Sequence, residues 1–391
     1  VKIGVVLGML LLLISGVTQA QERLQVTASF SILADVARNV AGDVADVESI
    51  IPLGADPHTY SPTPADIAKV ADADVVLVNG VGFEEGLLEA IENAASEVNL
   101  IVASSCIEIL PIGATRHDHE EGEAHSEEES HSEEEVELDP LMVARCEAHL
   151  LELDLLHDLD HEASATEEAD DHDHEHGKIE SLGRLYEIEC GEHGHEEEEA
   201  DHAEDEHSHE EGACDEHVWS DPHNVIYWVL MIRDSLIAAD SANAATYTAN
   251  AAAYITELEE LSHDFVEPML ESVPVENRVL VTNHETIGYL AAAYGYEIVG
   301  AIMPGGSTLA EPSASDLAAL IDLVKEEGVI AIFAENTVNA ETAQQVAAES
   351  GASFYTLYTD SLGEPGGEAG TYLDYIRYNV TTITQALGGG M

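Results

Sequence analysis

From Leu24 onward the chain alternates between two hydrophobic periods. Leu24–Ala28, Val47–Ile51, Asp74–Asn79 and Leu100–Val102 are short apolar or alternating runs of the kind strands require. Ser31–Val40, Pro64–Val70 and Phe83–Asn93 place apolar residues at helical spacing, with Asp66 and Lys69 on the polar side of the second. An unbroken apolar run such as Asp74–Asn79 suits a strand buried on both faces. The alternation therefore predicts a mainly parallel sheet flanked by helices.

A second alternating unit begins at Val279. It predicts strands over Val279–Thr282, Ile298–Ile302, Val329–Phe333 and Phe354–Leu357. The helices are predicted over Ile287–Tyr294, Ala314–Glu327, Ala340–Ser350 and Thr371–Leu387. Between the units, Val225, Ile226, Trp228, Val229, Ile232 and Leu236 give the segment after Asp221 a broad apolar face. Ala242–Leu270 then reads as a long Ala-rich helix closed by Pro274. About 28 residues at 1.5 Å rise span roughly 40 Å, long enough to run the length of two lobes.

The pattern breaks from about Arg116 to Gly212. Residues 117–213 hold 38 Asp/Glu against 3 Lys/Arg, and the tract contains 15 of the 20 histidines. Such composition cannot bury enough apolar surface to offset the entropy of ordering. Leu138–Leu156 and Ile179–Ile188 are exceptions, so a small ordered element is expected between mobile His/Glu arms. The organisation expected is a signal peptide over 1–20, an N-terminal α/β lobe over 21–240 with the insert at about 116–212, a linker helix over 241–272, and a C-terminal α/β lobe over 273–391.

The signal rests on Lys2, the apolar run Ile3–Ile14 and the small-residue site Thr18-Gln19-Ala20 before Gln21. The run is short for a membrane span, and an uncleaved anchor is the alternative. No cysteine lies near the cleavage point, so lipid attachment is not expected. An exported chain with Cys106, Cys146, Cys190 and Cys214 has two disulfides available in three connectivities. Nested pairing, Cys106–Cys214 with Cys146–Cys190, is favoured because it staples the base and middle of the insert. Thiolate metal ligation is the weaker rival, since no Cys-x-x-Cys occurs.

Charge narrows the partners. The formal net charge is −67, and the −35 of residues 117–213 leaves −32 elsewhere. Nucleic acid is excluded, because phosphate binding needs clustered Lys and Arg. Cations are the natural ligands, and four residues are placed to take one. His58, His217, His284 and Asp360 each lie just beyond a predicted strand or at a helix start, where ligands gather in doubly wound sheets. Three imidazoles and a carboxylate suit a tetrahedral zinc shell. Glu335 ends a strand facing the same crevice, and two roles are open to it: orienting a ligating His, or capping a helix at the surface. His223 reads as a surface or supporting residue and His263 as solvent-facing. A shell closed by Asp360 leaves no position for a catalytic water, and no Ser-His-Asp, Walker-type or His-Glu-x-x-His motif is present, so no enzyme is expected.

The insert carries His-x-His pairs at His117/His119, His172/His174, His174/His176, His193/His195 and His207/His209. These read as weak, exchangeable zinc sites, set against a solvated loop whose histidines are incidental.

Asp56-Pro57-His58-Thr59-Tyr60, His217-Val218-Trp219-Ser220-Asp221-Pro222, His284 with Gly288-Tyr289, Asp360-Ser361-Leu362-Gly363 and Thr371 to Asn379 together resemble the solute-binding proteins of zinc and manganese ABC importers. The resemblance spans nearly everything after the signal. It implies two α/β lobes joined by one rigid helix, with the metal in the interlobe cleft and His58, His217, His284 and Asp360 as ligands. A His at the third position implies zinc, with manganese the lesser candidate. Glu216 departs from the pattern, standing where a Pro usually precedes the second His, and becomes a competing ligand. The implied function is an extracytoplasmic receptor, working as a monomer, that delivers zinc to a membrane permease and its ATPase. The alternative is an extracellular zinc store or metal-dependent adhesin with no transport role.

Overall fold

The structure, a computed structural model, describes residues 23–84, 86–87, 90–91, 99–112, 140–164, 214–303, 308–309 and 312–390. Two four-stranded sheets form the frame, each parallel throughout. The first contains β1 (Leu24–Ala28), β2 (Ala45–Ser49), β3 (Val75–Val78) and β4 (Asn99–Val102) in the order β2-β1-β3-β4. The second contains β5 (Val279–Thr282), β6 (Glu297–Ala301), β7 (Ala331–Glu335) and β8 (Ser353–Leu357) in the matching order β6-β5-β7-β8. Of the central strands, β3 and β7 are buried along their whole length, as helices on both faces require.

In the first unit α1 (Ser31–Ala41) and α2 (Pro64–Asp72) connect the strands. Next come α3 (Pro140–Ser164) from the insert and α4 (Pro222–Ala239), followed by the linker. In the second unit α7 (Gly288–Tyr294), α8 (Ala314–Glu326), α9 (Glu341–Ser350) and the closing α10 (Tyr372–Ala386) cover the sheet. One local code starts three of these helices. Thr63 with Asp66, Ser313 with Asp316 and Thr371 with Asp374 each place a hydroxyl on a free N–H of the first turn.

The predicted linker is α5 (Ala244–Leu261) and α6 (Glu267–Glu271), joined by a π-helical turn over Ser262–Val266. Pro268 explains the wide turn. Its ring would meet the carbonyl four residues earlier in a regular α-helix and it has no N–H to give, so the helix bulges rather than breaks. The linker is not isolated: one apolar core runs from Val26 through Trp228 and Tyr254 to Tyr372 and Ile383. A smaller core, with Val281, Ile332 and Val346, fills the outer side of the second sheet.

Several sequence expectations shift. Strand β2 starts two residues earlier than expected and β7 two residues later. The later end of β7 puts Glu335 inside a strand. Helix Phe83–Asn93 is described only in part, and residues 1–20, Ile179–Ile188, Cys190 and the His-x-His pairs lie outside the described residues. No helix among the described residues is long and apolar enough to cross a membrane.

The nested disulfide pairing is wrong. Cys106 pairs with Cys146, at a Cα–Cα distance of 5.3 Å, and Cys214 is also disulfide-bonded. The reason is that α3 does not stand away from the lobe as part of an excursion. Arg233 on α4 grips Glu152 at 2.5 and 3.0 Å, and His149 meets Asp234 at 2.8 Å, so α3 lies against α4 with Cys146 over the turn after β4. The bridge closes a short loop of separation 40 instead of the longer one expected. Replacing both Cys106 and Cys146 by Ser should lower unfolding free energy by about 2–4 kcal/mol. Urea denaturation of the oxidised proteins measures this; an unchanged midpoint would show that the polar contacts alone hold α3.

Candidate metal site

The carboxyl ends of both sheets face each other, and the loops leaving them carry the predicted ligands. His58 follows β2, His284 follows β5 and Asp360 follows β8, while His217 precedes the short 3-10 turn Val218–Ser220 that leads into α4. The structure brings all four together, with one ligand atom from each lying within 4.8 Å of every other. Asp360 Oδ2 is 4.0 Å from His58 Nε2 and 3.7 Å from His284 Nε2, and Oδ1 is 3.6 Å from His217 Nε2. All four residues are at most 3% exposed.

The hydrogen bonding is one-sided. His217 Nδ1 pairs with Asp215 at 2.9 Å and His284 Nδ1 pairs with Glu335 at 2.7 Å. A carboxylate on Nδ1 fixes the tautomer, so that each ring, once neutral, turns the Nε2 lone pair inward. The inward atoms, His58 Nε2, His217 Nε2, His284 Nε2 and both oxygens of Asp360, have no hydrogen-bond partner. Buried polar atoms without partners are costly, and five converging on one point form a socket for a cation. Glu335 thus touches His284, and it also accepts the His284 backbone N–H at 2.8 Å.

Asp215 was not anticipated. It accepts both the backbone N–H and Nδ1 of His217 through one oxygen. The signal was an Asp-x-His spacing, which recurs at Asp56/His58 and Asp221/His223 and forms the same backbone turn each time. Gly288 serves Asp215: a Cβ there would collide with its Oδ2, so only glycine lets α7 approach. Tyr289 next to it donates to the Asp215 carbonyl at 2.9 Å. Glu216 is buried and places Oε1 3.8 Å from His58 Nδ1, outside the cluster of four. His223 pairs with Asp221 and His263 faces Glu267; both are about half exposed and stand apart from the site. Phe83 and Trp219 pack edgewise on His58 and His217, so the wall behind the imidazoles is dry.

Electrostatics describe a site short of positive charge. Burial, reinforced by repulsion from His217 and His284, pushes His58 down to about 2. Burial likewise holds His217 well below its ordinary value. Burial works against charge on His284, but Glu335, Asp360 and Glu216 outweigh it and raise the imidazole to about 9. Asp360 is raised to about 8 and Asp215 to about 7, chiefly by burial. Glu216 is raised well above the carboxylate range by burial and by Asp215. One divalent ion would relieve all of these strains at once.

The family model described as zinc-uptake complex component A, periplasmic, matches residues 26–386. The chain is 28% identical to the manganese-binding lipoprotein MntA of Halalkalibacterium halodurans, over 95% of this chain and 91% of that protein. It is 23% identical to the iron ABC transporter substrate-binding lipoprotein MtsA of Streptococcus pyogenes, over 95% of this chain and 91% of that one. Among solved structures, the periplasmic zinc-binding protein TroA from Treponema pallidum shares the fold, with a TM-score of 0.64, 22% identity, and coverage of 93% and 99% of the two chains.

Protons and a cation must compete for this site. His284 at about 9 and Asp360 at about 8 both hold protons at neutral pH when no cation is bound. Loading a divalent ion near pH 7 should release about one proton or more, read as a buffer-dependent enthalpy in calorimetry. Affinity should rise with pH, roughly tenfold per unit per proton released, level off above the pKa values just given, and fall on acidification. An enthalpy independent of the buffer would contradict this.

Proposed function

This chain belongs to the family of periplasmic zinc-uptake components, and from that premise we propose that it is the extracytoplasmic zinc receptor of an ABC importer. The coarser statement, a metal-binding substrate-binding protein, follows from the family and its relatives. Zinc as the cargo is the finer step. In this reading His58 and His217 from the first lobe, with His284 and Asp360 from the second, hold one ion between the lobes. The permease and its ATPase are the partners, the receptor works as a monomer, and release requires contact that parts the lobes.

The observation that carries the reading is the set of partnerless imidazole nitrogens and carboxylate oxygens turned toward one point. Bonds of 2.0–2.1 Å to zinc put neighbouring ligand atoms about 3.3 Å apart in a tetrahedron. The carboxylate-to-imidazole separations of 3.6, 3.7 and 4.0 Å need contract only modestly to reach that shell. Three nitrogens to one carboxylate suit zinc, and manganese prefers more oxygen in a larger shell. Manganese or iron at the same site is the second reading, favoured by what the relatives are named for. It would need Asp360 to bind through both oxygens and Glu216 to swing in.

The arm histidines, His117, His119, His172, His174, His176, His193, His195, His207 and His209, act in this proposal as weak sites that hold zinc near the cleft. Because α3 lies inside the insert and docks on the lobe, deleting the whole insert would disturb the fold as well. Replacing the nine by Asn keeps it. Zinc calorimetry should then lose its weak phase and keep one tight site. His58→Ala and His284→Ala should each abolish the tight site, and Glu335→Gln should weaken it by about 10–100-fold. Manganese should bind more weakly than zinc to the wild type. Tight binding that survives both alanine variants would sink the ligand assignment, and a preference for manganese would favour the second reading.

A further inference from the structure

The docked helix of the insert assembles another group of metal-binding side chains, sharing no residue with the interlobe cluster. Cys106 ends the 3-10 turn after β4. Cys146 and His149 lie three residues apart on α3 and so share a face. Cys106 and Cys146 are fully buried and His149 is 1% exposed.

The imidazole is held in one orientation. His149 Nε2 is 2.8 Å from Asp234 Oδ2, while Arg233 donates to Asp234 Oδ1 at 2.9 Å and also grips Glu152 on α3. An ionised carboxylate only accepts, so Nε2 carries the proton and Nδ1 carries the lone pair. Nδ1 points at sulfur, 3.9 Å from Cys106 Sγ. Met231 Sδ lies 3.7 Å from the same sulfur, which keeps the surroundings soft and dry. A disulfide used only as a staple has no need of an imidazole aimed at it. A carboxylate-backed imidazole, here with its free nitrogen turned toward the Cys106 sulfur, is the usual form of a metal-ligating histidine.

We propose that Cys106, Cys146 and His149 form a redox-gated zinc site, closed as the disulfide and open to a divalent thiophilic cation once reduced. A dithiol reductant supplies two electrons and two protons to the disulfide and becomes a disulfide itself. The two thiols formed lose those protons when the cation binds, leaving two thiolates and a neutral imidazole around it. Two thiolates with a divalent ion make a neutral unit, which a buried site tolerates, whereas a monovalent ion would leave an uncompensated charge. Cys₂His is an established zinc donor set. The insert thereby gains a tight site of a different chemistry from its histidine arms, present only under reducing conditions.

The test titrates Cd²⁺ into the full chain, oxidised and after reduction with a phosphine, following sulfur-to-cadmium charge-transfer absorption. The interlobe cluster and the arm histidines contain no sulfur, so this band reports the cysteines alone. The band should be absent from the oxidised protein, appear with about one Cd²⁺ per chain on reduction, and be displaced by Zn²⁺. His149→Ala, which keeps the disulfide when oxidised, should weaken cadmium binding by about tenfold or more. Because reduction also frees Cys190 and Cys214, the titration is repeated in Cys190→Ser with Cys214→Ser, where the one-equivalent band should persist, and in Cys106→Ser with Cys146→Ser, where that equivalent should be lost. A band lost from the Cys190/Cys214 variant, or unaffected there by His149→Ala, overturns the proposal, as does its absence from the reduced wild type. Failure of the receptor reading would leave this band unchanged, so the two outcomes are separable.

Discussion

Everything in the structure is arranged around the cost of holding several carboxyl groups and three imidazoles out of water. Asp360, Glu335, Asp215 and Glu216 are all nearly inaccessible, and so are His58, His217 and His284. Such groups cannot all carry their ordinary charges in a dry site. The fold removes the conflict on the outer side, where Asp215 and Glu335 accept from the Nδ1 atoms of their histidines. It leaves the conflict standing on the inner side, where the free Nε2 atoms meet Asp360. That asymmetry is what distinguishes a binding site from a satisfied buried network.

The same loops that present these atoms also join the lobes. Trp219 donates its indole N–H to the Thr359 carbonyl at 3.1 Å, one residue before Asp360, and Tyr375 donates to the same carbonyl at 3.0 Å. Tyr372 donates to the Trp219 carbonyl at 2.8 Å, and Leu362 N–H donates to Ser31 Oγ at 3.0 Å. Gly54 N–H reaches Ser361 Oγ at 2.8 Å. Parting the lobes therefore means moving the backbone on both sides of Asp360. A linker helix embedded in the shared core allows little hinge motion of its own. On the proposed reading, loss of the ion and loss of these contacts become one event, which would let a site this buried both hold and release a cargo.

Much of this was legible in the sequence, because parallel α/β units write themselves in two alternating periods. Both sheets, the linker and the four clustered residues follow from apolar runs and the residues just past them. What escaped notice depended on tertiary contact. The composition of the insert predicts a polar excursion over most of its length. Yet Arg233, Glu152, His149 and Asp234 pull one helix onto the lobe and redirect the disulfide. None of those residues shows its partner in sequence. Asp215 was closer to view, since Asp-x-His spacing had a local meaning. Glu335 was found only because a strand end faces the crevice, and β7 runs two residues further than its apolar run suggested.

Selectivity rests on few atoms. Proteins related to this chain and named for manganese or iron match it along almost its whole length, so the frame itself does not choose the ion. Choice must come from the donor count and from how far the shell can contract. Two of the three imidazoles are backed by carboxylates, His217 by Asp215 and His284 by Glu335, and Phe83 and Trp219 wedge the rings of His58 and His217 so that they cannot splay to admit more ligands. Opening the shell to six positions would require Glu216 to leave its place beside His58 and carry charge into a pocket already rich in carboxylates. The cost of that move, more than any preference of nitrogen for zinc, is what argues for a small, four-coordinate cargo.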